Sequence, residues 1–447
     1  MQDKPIDISE FIDNSPLSRY QIMVLTLCFL IVLLDGFDTA AIGYIAPELI
    51  SEWGISRGQL APAFGAGLFG MLIGNFAFGP VADRLGRKRV LLLCTLIFGL
   101  GTLVSARSES ITELALLRFA TGIGLGGVLP NCITLSSEYS PARHRMLLVT
   151  LSYAGFTAGL ALGGGVASQI IPLWGWQGVL AAGGLAPLLL LPFIAWLLPE
   201  SVCYLAGRPD KAAALSRIVA RINPDPRWRL RVFRHENAVP AGRSPAGLLF
   251  IAGTRARTLL LWLTFFCCLF VFYLLTNWMP TILRDHGYST AQAARISAMV
   301  PLGGAVGGVL MAMLMDRIGA RRVLPWLCLL AALALSAVGA ALGDGGWLFA
   351  TVFLVGFSLT GALNNLSILA ATLYPTQARA TGVSWALAAG RAGSIIGSMT
   401  GALLFAAAGS AHGFFAWAAA PVLAGALALF AMSRLDANAP AALKSQS

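Results

Sequence analysis

Two aspartates, Asp35 and Asp38, stand in the run Leu33-Leu34-Asp35-Gly36-Phe37-Asp38-Thr39, inside an apolar stretch from Tyr20 to Ala46. The stretch is long enough to cross a bilayer as a helix, which takes about 20 apolar residues. A charge at the centre of a spanning helix costs roughly 2.5–3.5 kcal/mol, so acids kept there mark ion or proton pathways or pair with an arginine. Three residues apart, the two share one helix face, with Cβ atoms about 5–6 Å apart. Carboxylates that close in a poorly hydrated site do not readily both ionise. Asp35 and Asp38 are therefore candidates for a proton-binding site, and Gly36 between them permits close helix packing.

Two arginines also lie deep in apolar runs. Arg118 sits roughly 9 Å into its span from the outer side, and Asp38 roughly 27 Å from the inner start of the first span. Both fall in the outer half of the bilayer, so an ion pair is geometrically allowed, either permanent or broken by protonation. Arg391 lies roughly 15 Å from the inner face, close to the midplane. A guanidinium there needs an anion, and its fork matches a carboxylate with two parallel hydrogen bonds. Arg391 is the candidate for binding a ligand carboxylate; the competing reading pairs it with a protein acid. Phe37, Tyr153, Phe156, Tyr273, Trp278 and Trp385 are candidates to stack on a ring, against core packing or an interfacial belt. The belt reading is the better one for Trp278. Asn131, Asn277, Asn364 and Asn365 suit a ring hydroxyl or a bridge between helices.

These side chains must be positioned by membrane-spanning helices. The chain has 447 residues, 57% hydrophobic and 11% charged, against about 25% charged in a soluble protein. The apolar runs predict twelve spans, near 20–46, 59–81, 90–106, 112–136, 147–171, 174–198, 258–280, 291–315, 322–342, 346–372, 381–408 and 411–432. The net charge of +11 does not point to nucleic acid, because its position follows the bilayer. Basic residues gather in alternate loops, with eleven Lys/Arg between Arg208 and Arg257. This positive-inside pattern puts both termini and that long loop in the cytoplasm. The acidic start, with Asp3, Asp7, Glu10 and Asp13, has no basic region of a cleaved leader. Ile8, Phe11 and Ile12 predict one apolar turn lying on the membrane surface, and Ser15-Pro16 the start of the first helix.

Other chemistry is not encoded. Seven cysteines show no metal or disulfide spacing and read as small packing residues. The four histidines are scattered. Gly122–Gly127 fits a dinucleotide pattern but lies inside a span with no strand before it, and no Walker loop is present. No cofactor or metal is expected, and an enzyme reading has no catalytic constellation behind it.

The chain repeats. Asp83-Arg84-Leu85-Gly86-Arg87-Lys88-Arg89 after span two is echoed by Asp316-Arg317-Ile318-Gly319-Ala320-Arg321-Arg322 after span eight, 233 residues later. Tyr139 after span four is echoed by Tyr374 after span ten, 235 residues later. Glycines four apart, which let helix backbones approach, mark spans 2, 5, 8 and 11, for example Gly70 and Gly74, Gly155 and Gly159, Gly303 and Gly307, Gly393 and Gly397. The expected fold is an all-α membrane protein of twelve transmembrane helices in two parallel six-helix repeats. The expected divisions are an N-terminal half at 1–200, a basic cytoplasmic loop at 201–257 and a C-terminal half at 258–447.

Gly79–Arg89 resembles the signature loop between helices two and three of the major facilitator superfamily, and Asp316–Arg322 resembles its second copy. Arg118–Gly126 is similar to that superfamily's fourth-helix motif, and Leu198-Pro199-Glu200-Ser201 to the one closing the sixth helix. Asp35-Gly36-Phe37-Asp38, preceded by Pro16–Gln21, resembles the first-helix motif of the aromatic acid:proton symporters. The second signature copy departs from the pattern, with Met311 and Met315 where smaller residues are expected. The resemblance implies roles for Asp35, Asp38, Asp83, Arg87, Arg118, Glu138, Asp316, Arg379 and Arg391. It implies a bacterial inner-membrane carrier that brings in a benzoate-type anion with protons.

The expected site follows from both lines. Asp35 and Asp38 couple protons. Arg391, Arg118, Phe37, Tyr153, Asn277 and Trp385 bind the aromatic carboxylate. Asp83, Arg84, Arg87, Glu138, Arg143, Asp316, Arg317 and Arg379 form a cytoplasmic gate, where charges cap helix ends and one another. The partners are a small aromatic carboxylate, protons and the bilayer, and the expected state is a monomer. The alternatives are a carrier of another organic anion such as muconate, an exporter of aromatic or drug-like molecules, and a membrane sensor signalling through 201–257.

Overall fold

A computed structural model describes residues 6–225, 228, 233–234, 255–373 and 376–437. Helix α1, Ile8–Asn14, opens the chain and is capped by Asp7. Next come α2 (Arg19–Trp53), α3 (Arg57–Leu85), α4 (Arg87–Ser105), α5 (Ile111–Glu138) and α6 (Arg145–Leu197). Ser18 starts α2: its backbone N–H donates to Gln21 Oε1 at 2.8 Å, and its hydroxyl accepts from Gln21 N at 3.3 Å. This reciprocal cap moves the helix start beyond Ser15-Pro16. Helix α6 has 53 residues, about 80 Å at 1.5 Å per residue, far more than one crossing needs. Gly175, with φ 65° and ψ −170°, breaks it into two crossings. A backbone of that kind suits glycine alone.

Short helices α7 (Val202–Ala206) and α8 (Ala212–Ile222) follow. The second set of spans is α9 (Arg255–Asp285), then α10 (Thr290–Ser297) running into α11 (Met299–Ile318), and α12 (Ala320–Ala341). Helix α13 (Gly345–Val355) passes through a π turn at Gly356–Thr360 into α14 (Gly361–Leu373), and α15 (Thr376–Ala408) and α16 (Ala411–Ala437) end the described chain. Eleven described helical segments are long and apolar enough to cross a membrane. With α6 divided at Gly175 they make the twelve expected crossings.

The glycines lock these helices by the same scheme in each half. A Cβ at Gly70 would lie 2.2 Å from the Phe119 carbonyl oxygen, and one at Gly303 2.2 Å from that of Phe353. One at Gly159 would lie 1.9 Å from the Leu33 oxygen, and one at Gly397 2.2 Å from that of Phe270. Span 2 thus touches span 4 as span 8 touches span 10. Span 5 touches span 1 as span 11 touches span 7. Only glycine allows backbones this close.

The chain forms two compact units. One comprises Met1–Thr39, Ala66–Leu160 and Gln177–Pro240; the other Ala40–Gly65, Ala161–Trp176 and Ala241–Ser447. The boundaries at 39/40, 65/66, 160/161 and 176/177 fall within α2, α3 and α6. In the first unit, Ile8, Phe11 and Ile12 are buried, which corrects the expectation of a turn on the membrane surface. Phe11 packs edge-on against Trp228 at 5.1 Å and Phe233 at 5.5 Å. A two-residue strand β1 (Ile6–Asp7) pairs in parallel with β2 (Phe233–Arg234). Segments of the central loop cover the apolar turn instead of lipid.

Candidate functional site

Asp35 and Asp38 are both fully buried in the first unit, and they have different environments. Arg118, 3% exposed, holds Asp38 with two nitrogens. Nη1 donates to Oδ1 at 3.1 Å and Nη2 lies 2.9 Å from Oδ2. Nη2 also donates to the Asp38 carbonyl at 3.1 Å, and Thr102 from α4 donates its hydroxyl to Oδ1. Asp35, one turn earlier, accepts from the Thr39 hydroxyl at 3.5 Å.

Glycines build this arrangement. A Cβ at Gly36 would lie 2.1 Å from the Phe156 oxygen, so α2 is pressed onto α6 just where the acids stand. A Cβ at Gly122 would lie 2.1 Å from the Gly67 oxygen, and one at Gly67 3.9 Å from Arg118 Nε. At Gly67 a Cβ would meet Arg118 only at ordinary contact distance, so α3 lines the guanidinium without crowding it.

In the second unit Arg391 is half-buried and donates from Nη1 to the Tyr273 hydroxyl at 3.4 Å. Among the described residues no carboxylate lies in ion-pair range of Arg391, so the protein-acid alternative finds no support there. Tyr273 is 4% exposed. One turn along α9, Asn277 donates to Ser398 Oγ at 2.8 Å, so its amide bridges α9 and α15. Asn365 likewise bonds the Gly308 and Gly361 carbonyls.

The other ring candidates separate. Phe37 is 5% exposed, and a Cβ at Gly183 would meet its ring at 2.9 Å; it packs between helices of the first unit. Trp385 is 46% exposed and faces Trp262 at 5.7 Å, almost two turns before Arg391. Tyr153 is partly exposed beside Phe156, ring centres 6.3 Å apart. Trp278, read as a belt residue, is instead fully buried and donates from Nε1 to the Ser398 carbonyl at 2.7 Å.

Where α3 turns into α4, Arg87 is the hub. It donates to Glu138 at 3.1 Å, Asn131 at 3.3 Å and Asp83 at 3.4 Å. Glu138 also accepts from the Ser201 hydroxyl. Glu200 accepts from Lys88 N at 3.1 Å and fills the space a Cβ at Gly86 would need. Gly86 has φ +98°, so glycine is required twice over. Arg84 takes part through its carbonyl, which accepts from Tyr204 and Arg208. Arg143 reaches the Ser15 carbonyl at 3.4 Å rather than Glu138, and Arg145 pairs with Asp13. Arg317 is exposed, and the side chains of Asp316 and Arg379 lie outside the described residues.

Three participants are not marked by the sequence: Thr102, which touches Asp38, and Arg57, which pairs with Asp285 while lying over the Phe405 ring at 4.3 Å. Tyr273, a candidate for ring stacking, instead takes a hydrogen bond from Arg391. A charged residue at each end of a span was the signal for Arg57 and Asp285. A threonine inside an apolar run gives none.

Two stretches, 28–398 and 261–446, match the family described as Major Facilitator Superfamily. The chain is 43% identical over 429 residues to a gallate transporter of Pseudomonas putida, covering 96% of this chain and 95% of that protein. It is 45% identical over 400 residues to the 4-hydroxybenzoate transporter PcaK of Pseudomonas aeruginosa, covering 89% of each. Among solved structures, the xylose transporter XylE from E. coli aligns with a TM-score of 0.71 at 18% identity, over 93% of this chain and 98% of that one.

Proposed function

The chain belongs to the Major Facilitator Superfamily, and from that premise we propose that it imports an aromatic carboxylate of the hydroxybenzoate class together with protons, by alternating access. It is a multi-pass membrane transporter, not an enzyme. The proposed setting is a bacterial inner membrane, as a monomer with both termini in the cytoplasm. The moving bodies are the six-helix halves 1–200 and 258–447, joined by 201–257.

One observation carries the reading: the buried, two-pronged pair of Asp38 with Arg118. Such a pair holds only while Asp38 is ionised. A proton on Asp38 removes the charge that Arg118 needs. A buried guanidinium without its anion is costly, so protonation favours any state in which Arg118 meets water or another anion. Proton and anion binding are then coupled, because each favours the same conformation. Arg391, with Tyr273 beside it, takes the carboxylate of the cargo. The relatives' names support the ring: gallate and 4-hydroxybenzoate both carry one carboxylate and at least one hydroxyl on an aromatic ring. The Asp83–Arg87–Glu138 cluster ties the ends of α3, α4 and α5 together within the first half, and so braces that half's side of the proposed cytoplasmic gate.

Uptake into proteoliposomes tests this. Labelled 4-hydroxybenzoate and gallate should accumulate under an inward proton gradient, with alkalinisation outside. Accumulation indifferent to the gradient, or preference for muconate over every benzoate, would overturn the reading.

A further inference from the structure

Hydroxyls within helices usually bond back to the carbonyl four residues earlier. On α4, Ser105 does so, donating to the Gly101 carbonyl at 2.7 Å. On α5, Thr121 and Thr134 do so with Leu117 and Pro130, each at 2.8 Å. Thr102 does not. Its hydroxyl turns away from its own helix and donates to Asp38 Oδ1, in a site where both residues are fully buried.

Helix α4 is fixed in the orientation this requires. A Cβ at Gly184 would lie 2.4 Å from Leu103 N and 2.7 Å from the Gly99 oxygen, so α4 and the second part of α6 are in backbone contact on either side of Thr102. The Thr102 methyl lies 3.5 Å from where a Cβ at Gly183 would stand. Methyl toward α6 and hydroxyl toward α2 is thus set by packing.

We propose that Thr102 is a positioning residue for Asp38, giving its carboxyl a partner in both protonation states. The proposal rests on reading Asp38 as the coupling site. Arg118 has only donors and serves the ionised carboxylate alone, whereas a threonine hydroxyl both donates and accepts. When Asp38 is ionised, Thr102 donates to it, as seen here. When Asp38 carries a proton, that O–H donates to Thr102 Oγ1, and the threonine proton turns to the carbonyl of Phe98, four residues back on α4. Thr102 keeps the protonated side chain in place while Arg118 leaves.

The charged and titratable groups around Asp38 are few among the described residues. Asp35 stands on the same helix and Arg118 comes from α5. Helix α4 adds Cys94, which is buried. Helix α6 carries only Arg145 at its start and Tyr153, and α3 faces Arg118 through Gly67. Removing one uncharged donor from so sparse a set should register in the proton dependence of transport.

The test is the profile of gradient-driven 4-hydroxybenzoate uptake against external pH, for wild type, Thr102→Val and Thr102→Ser in proteoliposomes. Each profile is normalised to its own maximum, so a lower yield of carrier does not displace it; Thr102→Ala is the second hydroxyl-free variant if the valine protein does not fold. Thr102→Val should move the midpoint at least half a pH unit to the alkaline side, because both forms lose a partner but the hydrogen bond to the ionised carboxylate is the stronger one, and Thr102→Ser should restore it. A valine profile superimposed on wild type, or a serine profile displaced as far as the valine one, overturns the role of Thr102. Wild-type uptake that ignores the proton gradient overturns it together with the symport reading.

Discussion

Arg118 closes on Asp38 with one nitrogen to each carboxylate oxygen, at 3.1 and 2.9 Å, and both side chains are cut off from solvent. Removing one partner of such a pair typically costs about 3–5 kcal/mol, while replacing both by apolar groups is often neutral or stabilising. Asp38→Leu and Arg118→Met should each lower the melting temperature in detergent, and the double variant should recover most of that loss. Melting curves that simply add the two losses would contradict a private pair. Arg118→Lys keeps the charge but not the fork, and uptake should fall at least tenfold.

Arg391 is expected to show its role in substrate affinity. Arg391→Lys should raise KM for 4-hydroxybenzoate tenfold or more, since a point charge cannot match both carboxylate oxygens. Tyr273→Phe removes one hydrogen bond, worth about 0.5–1.5 kcal/mol, so a rise of about two- to tenfold is expected. Initial rates across a concentration series check both.

The glycine contacts give a paired stability test. Gly159→Ala puts a methyl 1.9 Å from the Leu33 carbonyl, whereas a Cβ at Gly165 meets nothing within 4 Å. The first should cost about 1–3 kcal/mol by overpacking and the second should be tolerated. Fluorescence-monitored thermal unfolding separates them.

The cluster around Arg87 predicts a different loss. Arg87→Ala leaves Glu138, only 10% exposed at its side chain, facing Ser201 without its cation. Uptake and thermal stability should both fall. Pairing Arg87→Ala with Glu138→Gln should recover stability more than transport, because the neutral amide no longer needs a cation but does not restore the tie between α4 and α5.

The charges show how far the sequence could be read. An ionisable group in an apolar run stands out, so Asp38, Arg118, Arg87 and Arg391 were all marked from their types and depths. Which of two acids three residues apart meets the arginine depends on helix rotation, and no spacing rule reports that. Phe37 and Trp385 were marked as ring partners because aromatic residues in spans look alike. Packing sends Phe37 against Gly183, and Trp385 stays 46% exposed against Trp262. Thr102 was invisible for the same reason, as its hydroxyl matters only because α4 is turned toward α2. The twelve crossings and the glycine faces of spans 2, 5, 8 and 11 are legible, since length and small-residue spacing are properties of the chain itself; which spans those faces meet is not.

The central claim is that protonation of Asp38 couples the two fluxes. Accumulation of labelled 4-hydroxybenzoate under an inward proton gradient, compared between wild type and Asp38→Asn, tests it most directly. The neutral amide should abolish gradient-driven accumulation in a folded carrier. Accumulation by Asp38→Asn at the wild-type level would contradict the claim.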